Sequence, residues 1–135
     1  MSHKTFSILI VDDNSGFVQR MKGILDELES FIAIHSAGTY DEAFELIARK
    51  KPDLVLLDIR LPGKSGMSLL QKINNLSINC RVIMNSNYTN EHYRQQCKEL
   101  GAEYFLDKTN DFEIVPELVR QIAMESSNGS GQHSN

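Results

Sequence analysis

The chain has 135 residues, of which 41% are hydrophobic and 24% are charged, and its formal net charge is −4. These values are ordinary for one soluble domain, and they argue against direct binding of nucleic acid, because a phosphate backbone is bound by clustered Lys and Arg. No apolar run approaches the ~18 residues needed to cross a bilayer, and the first residues lack the apolar segment of a secretory signal, so we expect a cytoplasmic protein without a membrane anchor.

Short apolar runs alternate with segments of helical period along the chain. The predicted strands are FSILIV (6–11), FIAIHS (31–36), DLVLLD (53–58), CRVIMNS (80–86) and EYFL (103–106). After each strand, apolar residues recur three or four positions apart, which predicts a helix. These helices fall within residues 17–28, 39–50, 69–76, 90–101 and 115–123. Five such units predict an α/β fold, a single doubly wound parallel sheet with helices on both faces.

The domain organisation follows from the same pattern. The folded domain is predicted over residues 1–124, where the last helical period ends. The remaining segment, ESSNGSGQHSN (125–135), is small, polar and aperiodic. Such a composition is typical of a flexible tail or the stub of a linker.

Polar residues stand where the predicted strands end. They are Asp12 and Asp13 after the first strand, Asp58 at the end of the third, Ser86 at the end of the fourth and Lys108 after the fifth. The carboxyl ends of parallel strands meet at one edge of the sheet, and ligands of such folds bind outside that edge. We therefore expect these five side chains to form one cluster.

The predicted cluster has the composition of a phosphoryl-transfer site. Three carboxylates repel one another unless a cation lies between them, and hard oxygen ligands suit Mg²⁺, which often also binds a phosphate. A carboxylate can act as the nucleophile toward phosphorus and form an aspartyl-phosphate. Mg²⁺, the Lys108 ammonium and the Ser86 hydroxyl would then each neutralise one oxygen of the transferred group.

Four motifs in order resemble the receiver domain of two-component response regulators, over roughly residues 6–124. They are the acidic pair in VDDN, the acceptor in LLDIRLPGKSG, the hydroxyl in VIMNS and the lysine in FLDK. The resemblance implies a flavodoxin-like (βα)5 fold with strand order 2-1-3-4-5. It implies Mg²⁺ binding by Asp13 and Asp58 with help from Asp12, and phosphorylation of Asp58 by a histidine kinase or a histidine phosphotransfer protein.

The resemblance also implies a signalling switch rather than an enzyme. Ser86 and Phe105 match the family positions that couple the phosphoryl group to the face formed by helix 4, strand 5 and helix 5. The resemblance implies that the domain takes part in its own phosphorylation and dephosphorylation, with Asp58, Lys108 and Ser86 as the residues of that site. The implied partners are a kinase or phosphotransfer protein, a downstream output protein or domain, and a second copy of the chain on phosphorylation.

Three features depart from the family pattern. Thr109 stands where the family usually has a proline, often after a cis peptide, so the isomer of the Lys108–Thr109 bond is open. Asn87 stands where Ala or Gly is common. Arg60 and Tyr88 are bulky groups at positions that overlook the attacking water, so together with Asn87 they predict a long-lived phosphoryl group.

Other functions remain as alternatives to a stand-alone receiver. One is a receiver cut from a longer DNA-binding regulator, since the polar tail suits a severed linker as well as a natural end. A second is a phosphatase with an aspartate nucleophile. Such enzymes carry a second Asp two residues later as the general acid, and here that position holds Arg60, which cannot donate a proton near neutral pH.

Overall fold

The computed structural model describes the backbone of residues 5–132 and the side chains of residues 5–126. Within these residues five strands alternate with five helices. The strands are β1 (Phe6–Val11), β2 (Ile32–Ala37), β3 (Leu54–Leu57), β4 (Arg81–Ser86) and β5 (Tyr104–Asp107). The helices are α1 (Ser15–Asp26), α2 (Tyr40–Lys50), α3 (Gly66–Asn75), α4 (Glu91–Glu99) and α5 (Ile114–Gln132). None of the helices in this part of the chain has the length and apolar composition needed to cross a membrane.

The five strands form one parallel sheet in the order β2-β1-β3-β4-β5. This confirms the predicted flavodoxin-like fold and its strand order. The chain leaves β1 for β2 at one edge and then crosses back to β3, so the winding direction reverses between β1 and β3. The carboxyl ends of these two neighbouring strands therefore lie side by side, at the point where ligands bind in such sheets.

Helices cover both faces of the sheet, and side chains along each strand alternate between the two. One face, which we call the α3/α4 face, packs against α2, α3 and α4; its strand residues include Leu9, Val11, Leu57 and Met84. The other, the α1/α5 face, packs against α1 and α5; its strand residues include Ile8, Ile10, Leu56 and Ile83. Burial on both faces explains why the three central strands, β1, β3 and β4, read as continuous apolar runs in the sequence.

Four helices begin at a side chain that accepts a hydrogen bond from a backbone N–H three residues later. These N-caps are Asn14, Thr39, Ser65 and Asn90. Such a cap fixes the point at which the chain enters the helix. Because Asn14 already caps α1, the link from β1 to that helix is short, and it holds Asp12 and Asp13 at the edge of the sheet.

Helix α5 is longer than the helical period in the sequence indicates. It spans Ile114–Gln132, with Pro116 in its first turn, where the missing backbone N–H costs little. Residues 125–132 of the predicted flexible tail are therefore helical, and residues 133–135 lie outside the described part of the chain. Buried turns at Val119 and Ile122 anchor the helix. Extending the helix through each further Ser, Asn or Gly lowers its stability by about 0.5–1 kcal/mol relative to Ala.

Candidate functional site

Lys108 joins two carboxylates at the carboxyl edge of the sheet. Its ammonium nitrogen Nζ lies 2.7 Å from Oδ2 of Asp12 and 3.0 Å from Oδ2 of Asp58. The exposed fraction of these three side chains is 10% or less, so the ion pairs are shielded from water. The structure thus brings together residues that directly follow β1, β3 and β5, as the sequence predicts.

Asp13 completes the acidic part of the site. One carboxylate oxygen from each of Asp12, Asp13 and Asp58 can be chosen so that all lie within 4.8 Å of one another. Three negative charges face one ammonium, which leaves an excess negative charge at the site. Oxygen ligands and excess negative charge are what Mg²⁺ requires, so these three residues, which we call the acidic site, fit the ion that the sequence predicts.

Burial and charge perturb the pKa values of Asp12 and Lys108. Burial raises the pKa of Asp12 and the nearby charge of Asp58 adds to this, while hydrogen bonds from Lys108 and from the backbone of Asn14 oppose it. Burial lowers the pKa of Lys108, but hydrogen bonds to Asp12 and Asp58 outweigh that effect, so the pKa is raised. Lys108 is therefore charged at neutral pH and stabilises both carboxylates.

Ser86 and Asn87 connect β4 to the loop that carries Lys108. The carbonyl oxygen of Ser86 accepts the backbone N–H of Lys108 at 3.0 Å, while its hydroxyl oxygen accepts the backbone N–H of Tyr88 at 3.0 Å. The Thr109 hydroxyl donates to Oδ1 of Asn87 at 3.2 Å. No cis peptide occurs within residues 5–132, so the Lys108–Thr109 bond is trans.

Glycine shapes the loop between Asp58 and α3. A Cβ atom at Gly66 would lie only 1.8 Å from the carbonyl oxygen of Asp58, so no other residue fits there without moving the backbone. Gly63 adopts a φ of 85°, in the left-handed region that favours glycine. The close approach at Gly66 fixes the backbone at Asp58.

The sequence matches the family described as "Response regulator receiver domain" over residues 8–120. The chain belongs to this family. Receiver domains are phosphoacceptor switches of two-component systems that interact with histidine kinases and output domains. They bind Mg²⁺ at an acidic pocket, which here corresponds to the acidic site.

Two relatives and one solved structure illustrate the similarity. The sporulation initiation phosphotransferase F of Bacillus subtilis (strain 168) is 31% identical over 121 residues, which cover 90% of this chain and 96% of the relative. The "Uncharacterized transcriptional regulatory protein YesN" of the same organism is 31% identical over 121 residues, but these cover only 33% of its length.

The solved structure is the signal receiver domain of a DNA-binding response regulator protein (merR) from Colwellia psychrerythraea 34H. It superposes with a TM-score of 0.82 at 27% identity, covering 88% of this chain and 98% of that one. The similarity thus extends over most of this chain and nearly all of that structure.

Arg60 and Tyr88 of this receiver domain contact each other across two loops. The Arg60 guanidinium lies 4.4 Å from the centre of the Tyr88 ring, a cation–π contact between the loop after Asp58 and the loop after β4. Both side chains are exposed. The sequence predicts that both residues lie beside the site but gives no reason to expect that they pair.

Phe105 is partly buried, and Arg94 of α4 contacts it at two points. Nη1 of Arg94 donates to the carbonyl oxygen of Phe105 at 2.9 Å, and the guanidinium lies 4.8 Å from the ring centre. β5 is an edge strand, so this carbonyl has no partner strand on its outer side. Sequence reasoning missed Arg94, because an arginine on the polar side of a helix carries no signal of such a contact.

Sequence reasoning also missed two neighbours of the acidic site. Asn14 caps α1 and its backbone N–H donates to Oδ1 of Asp12 at 2.9 Å. The Phe17 ring lies 4.9 Å from the ammonium nitrogen of Lys108. An Asn directly before an apolar helical pattern is a recognised cap signal, so the role of Asn14 was available in the sequence.

Mg²⁺ should raise the melting temperature of the wild-type receiver and raise that of Asp13→Asn far less. We expect the ion to bind the folded state, to offset the excess negative charge and to take Asp13 as a ligand. Asp13 is exposed, so its substitution should not disturb buried packing. Thermal denaturation with EDTA or Mg²⁺ measures both shifts. Asp26→Asn, an exposed carboxylate of α1, should keep the full wild-type shift. Equal shifts in the wild type and Asp13→Asn would mean that Asp13 is not a ligand.

Proposed function

We propose that Asp58 is the phosphoacceptor of this receiver domain and that a histidine kinase or a histidine phosphotransfer protein is its donor. The observation that carries the proposal is the position of the Asp58 carboxylate, which is buried, belongs to the acidic site and lies 3.0 Å from the Lys108 ammonium. Loss of phosphorylation in Asp58→Ala is the direct test.

Each site residue has a role in this transfer. A carboxylate oxygen of Asp58 forms the bond to phosphorus while the phosphorus–nitrogen bond of the donor breaks, and the donor imidazole keeps the electron pair. Lys108 and the Ser86 hydroxyl each stabilise one oxygen of the moving group. Asp12 and Asp13, with Asp58, would hold Mg²⁺, which would supply positive charge to the transferred group.

The phosphoryl group changes the structure through Ser86. Its hydroxyl oxygen accepts the N–H of Tyr88, and its O–H can donate to a phosphoryl oxygen on Asp58. When Ser86 turns toward the phosphoryl group, Phe105 gains space to move inward and the face formed by α4, β5 and α5 repacks. α4 is easy to move, because Cys97 is its one buried residue.

Amide exchange should show this coupling. Addition of Mg²⁺ and beryllofluoride, a phosphoryl mimic, should change exchange rates most across residues 87–106, which include α4 and most of β5. Hydrogen exchange read by mass spectrometry measures the change. Asp58→Ala serves as the control that binds no mimic. Changes confined to the loop at 59–66 would contradict the proposed coupling.

The repacked face acts on a cytoplasmic output partner. Similarity to the phosphotransferase F over 96% of that relative supports a stand-alone receiver in a phosphorelay, whereas the 33% match to YesN supports a receiver joined to an output domain. A second copy of the chain is a further candidate partner for the phosphorylated face. The phosphatase alternative finds no support, since the Arg60 guanidinium contacts the Tyr88 ring and offers no acid.

The phosphoryl group on Asp58 should be long-lived for a receiver, and the contacts around the site support this proposal. Hydrolysis needs a water in line with the phosphorus. The Arg60–Tyr88 contact connects the loop after Asp58 to the loop after β4. The hydrogen bond from Thr109 to Asn87 connects the loop after β5 to the loop after β4. Side chains held together by these contacts reduce the fraction of time in which a water molecule lies in line with the phosphorus.

Replacing Arg60, Asn87 and Tyr88 together by Ala should therefore speed the loss of phosphate. A dephosphorylation time course after removal of the phosphodonor measures the rate for the wild type and the triple variant. Lys64→Ala, an exposed residue of the same loop as Arg60, should leave the rate unchanged. A triple variant that loses phosphate no faster than the wild type would refute the shielding, without affecting the assignment of Asp58.

A further inference from the structure

Asn85 is a polar residue inside the core of the sheet. Its exposed fraction is 2%, and among the described residues neither its amide nitrogen nor its amide oxygen has a hydrogen-bond partner. A buried amide without a partner destabilises the state in which it occurs. An apolar residue would pack at this position without that cost, so the amide suggests a second state in which it has a partner.

The register of the sheet places Asn85 beside Asp58, on the strand that separates Asp58 from Lys108. Leu57 pairs with Met84, so the next pair along these strands is Asp58 with Asn85, and Asn85 itself pairs with Leu106 of β5. Leu57 and Met84 belong to the α3/α4 face, and side chains alternate, so Asp58 and Asn85 both project to the α1/α5 face.

Lys108 must cross the end of β4, on the face to which Asn85 projects, to reach Asp58. Lys108 follows β5 and Asp58 follows β3, with β4 between them, so their backbones are roughly 10 Å apart at the usual strand spacing. The ammonium nevertheless lies 3.0 Å from Asp58 and 4.9 Å from the centre of the Phe17 ring, which is on the α1/α5 face. The lysine side chain therefore crosses the end of β4 on the same face as the Asn85 amide.

The geometry points to Asn85 as a positioning residue for Lys108 in the phosphorylated state. In the unphosphorylated protein two carboxylates hold the ammonium, and Asn85 is not needed. Phosphorylation converts one oxygen of Asp58 into an acyl-phosphate oxygen and weakens that partner. The amide oxygen of Asn85 then accepts a hydrogen bond from the ammonium and keeps it directed toward the phosphoryl group. This inference rests on the proposed role of Asp58 as phosphoacceptor.

The inference predicts opposite effects of Asn85→Val on the two states. Removing an unpartnered amide should raise the melting temperature of the unphosphorylated protein. Loss of one hydrogen bond to a charged group should raise the half-saturating concentration of beryllofluoride, in the presence of Mg²⁺, by about tenfold. Ile83→Val is the matched control, because Ile83 is fully buried on the same strand and the same face, two residues deeper. It should lower stability and leave beryllofluoride binding unchanged.

A second measurement uses the wild-type protein and does not depend on the folding of a variant. The side-chain NH₂ resonances of Asn85 should move when Mg²⁺ and beryllofluoride are added. They are identified by their absence from the spectrum of Asn85→Val, or of Asn85→Asp if the first variant does not fold. Wild-type-like beryllofluoride binding by Asn85→Val, or unmoved Asn85 resonances while backbone resonances respond, overturns the role of Asn85 alone. No response of any wild-type resonance overturns the proposed function as well.

Discussion

Incubation with acetyl phosphate and Mg²⁺ should add one phosphoryl group to the wild-type receiver domain and none to Asp58→Ala. Asp58 is the acidic-site residue at the end of the central strand β3, and its backbone is fixed by the close approach of Gly66. Lys108 already lies 3.0 Å from its carboxylate, so the positive charge that the transfer needs is in place before the donor arrives. Intact-protein mass spectrometry measures the added group.

Asp26→Ala is the matched control for this experiment. Asp26 is an exposed carboxylate in the last turn of α1, away from the carboxyl edge of the sheet, and its substitution should leave the mass gain at the wild-type level. A full mass gain in Asp58→Ala would place the phosphoryl group on another residue and refute the assignment. A gain lost in both variants would show that loss of any carboxylate impairs the reaction, and Asp58 would then have no special role.

The location of the acidic site could be predicted because it depends on topology alone. Asp12 and Asp58 each stand directly after an apolar run that is buried on both faces of the sheet. Once the alternating pattern establishes a parallel sheet, the carboxyl ends of its strands must share one edge. No side-chain geometry enters that inference, and the structure confirms the fold from which it starts.

The pairing of the side chains could not be predicted in the same way. Lys108 reaches across a whole strand to contact Asp12 and Asp58, and a long flexible side chain has many other conformations open to it. Ser86 uses its hydroxyl for the backbone of Tyr88, a choice set by the path of the loop after β4. Such contacts depend on the relative positions of loops, which the hydrophobic pattern does not specify.

The hydrogen bonds in the turn between β5 and α5 could not be predicted from the sequence either. A side-chain oxygen of Asp107 accepts the backbone N–H groups of Thr109 and Asn110, and Asp111 in turn accepts the backbone N–H of Asp107 at 2.7 Å. These bonds fix the backbone on both sides of Lys108. The sequence shows that Asp and Asn are present in the turn, but several of them compete for the same donors, and only the folded chain selects the pairs.

Lys108→Met should destabilise the protein by about 3 kcal/mol in EDTA, because it leaves two shielded carboxylates without their cation. The methionine keeps most of the side-chain volume, so the effect reports the charge rather than a cavity. Chemical denaturation measures the free energy of unfolding. Lys98→Met, an exposed lysine of α4, should change it little. Mg²⁺ should restore part of the loss in Lys108→Met, since the ion replaces the missing positive charge between Asp12 and Asp58.

The pH dependence distinguishes this charge effect from a loss of packing. The pKa of Lys108 is raised in the folded state, so its contribution is complete below the ordinary value of 10.5 and is lost only as the pH rises through the higher folded value. The difference in the free energy of unfolding between wild type and Lys108→Met should therefore be constant from neutral to moderately alkaline pH. At acid pH it should narrow while the pH is still above 3.8, because the raised pKa of Asp12 lets that carboxyl take up a proton early and relieves its repulsion with Asp58. A difference that stays constant down to the acid limit would show that Lys108 acts through packing against Phe17 and not through its charge.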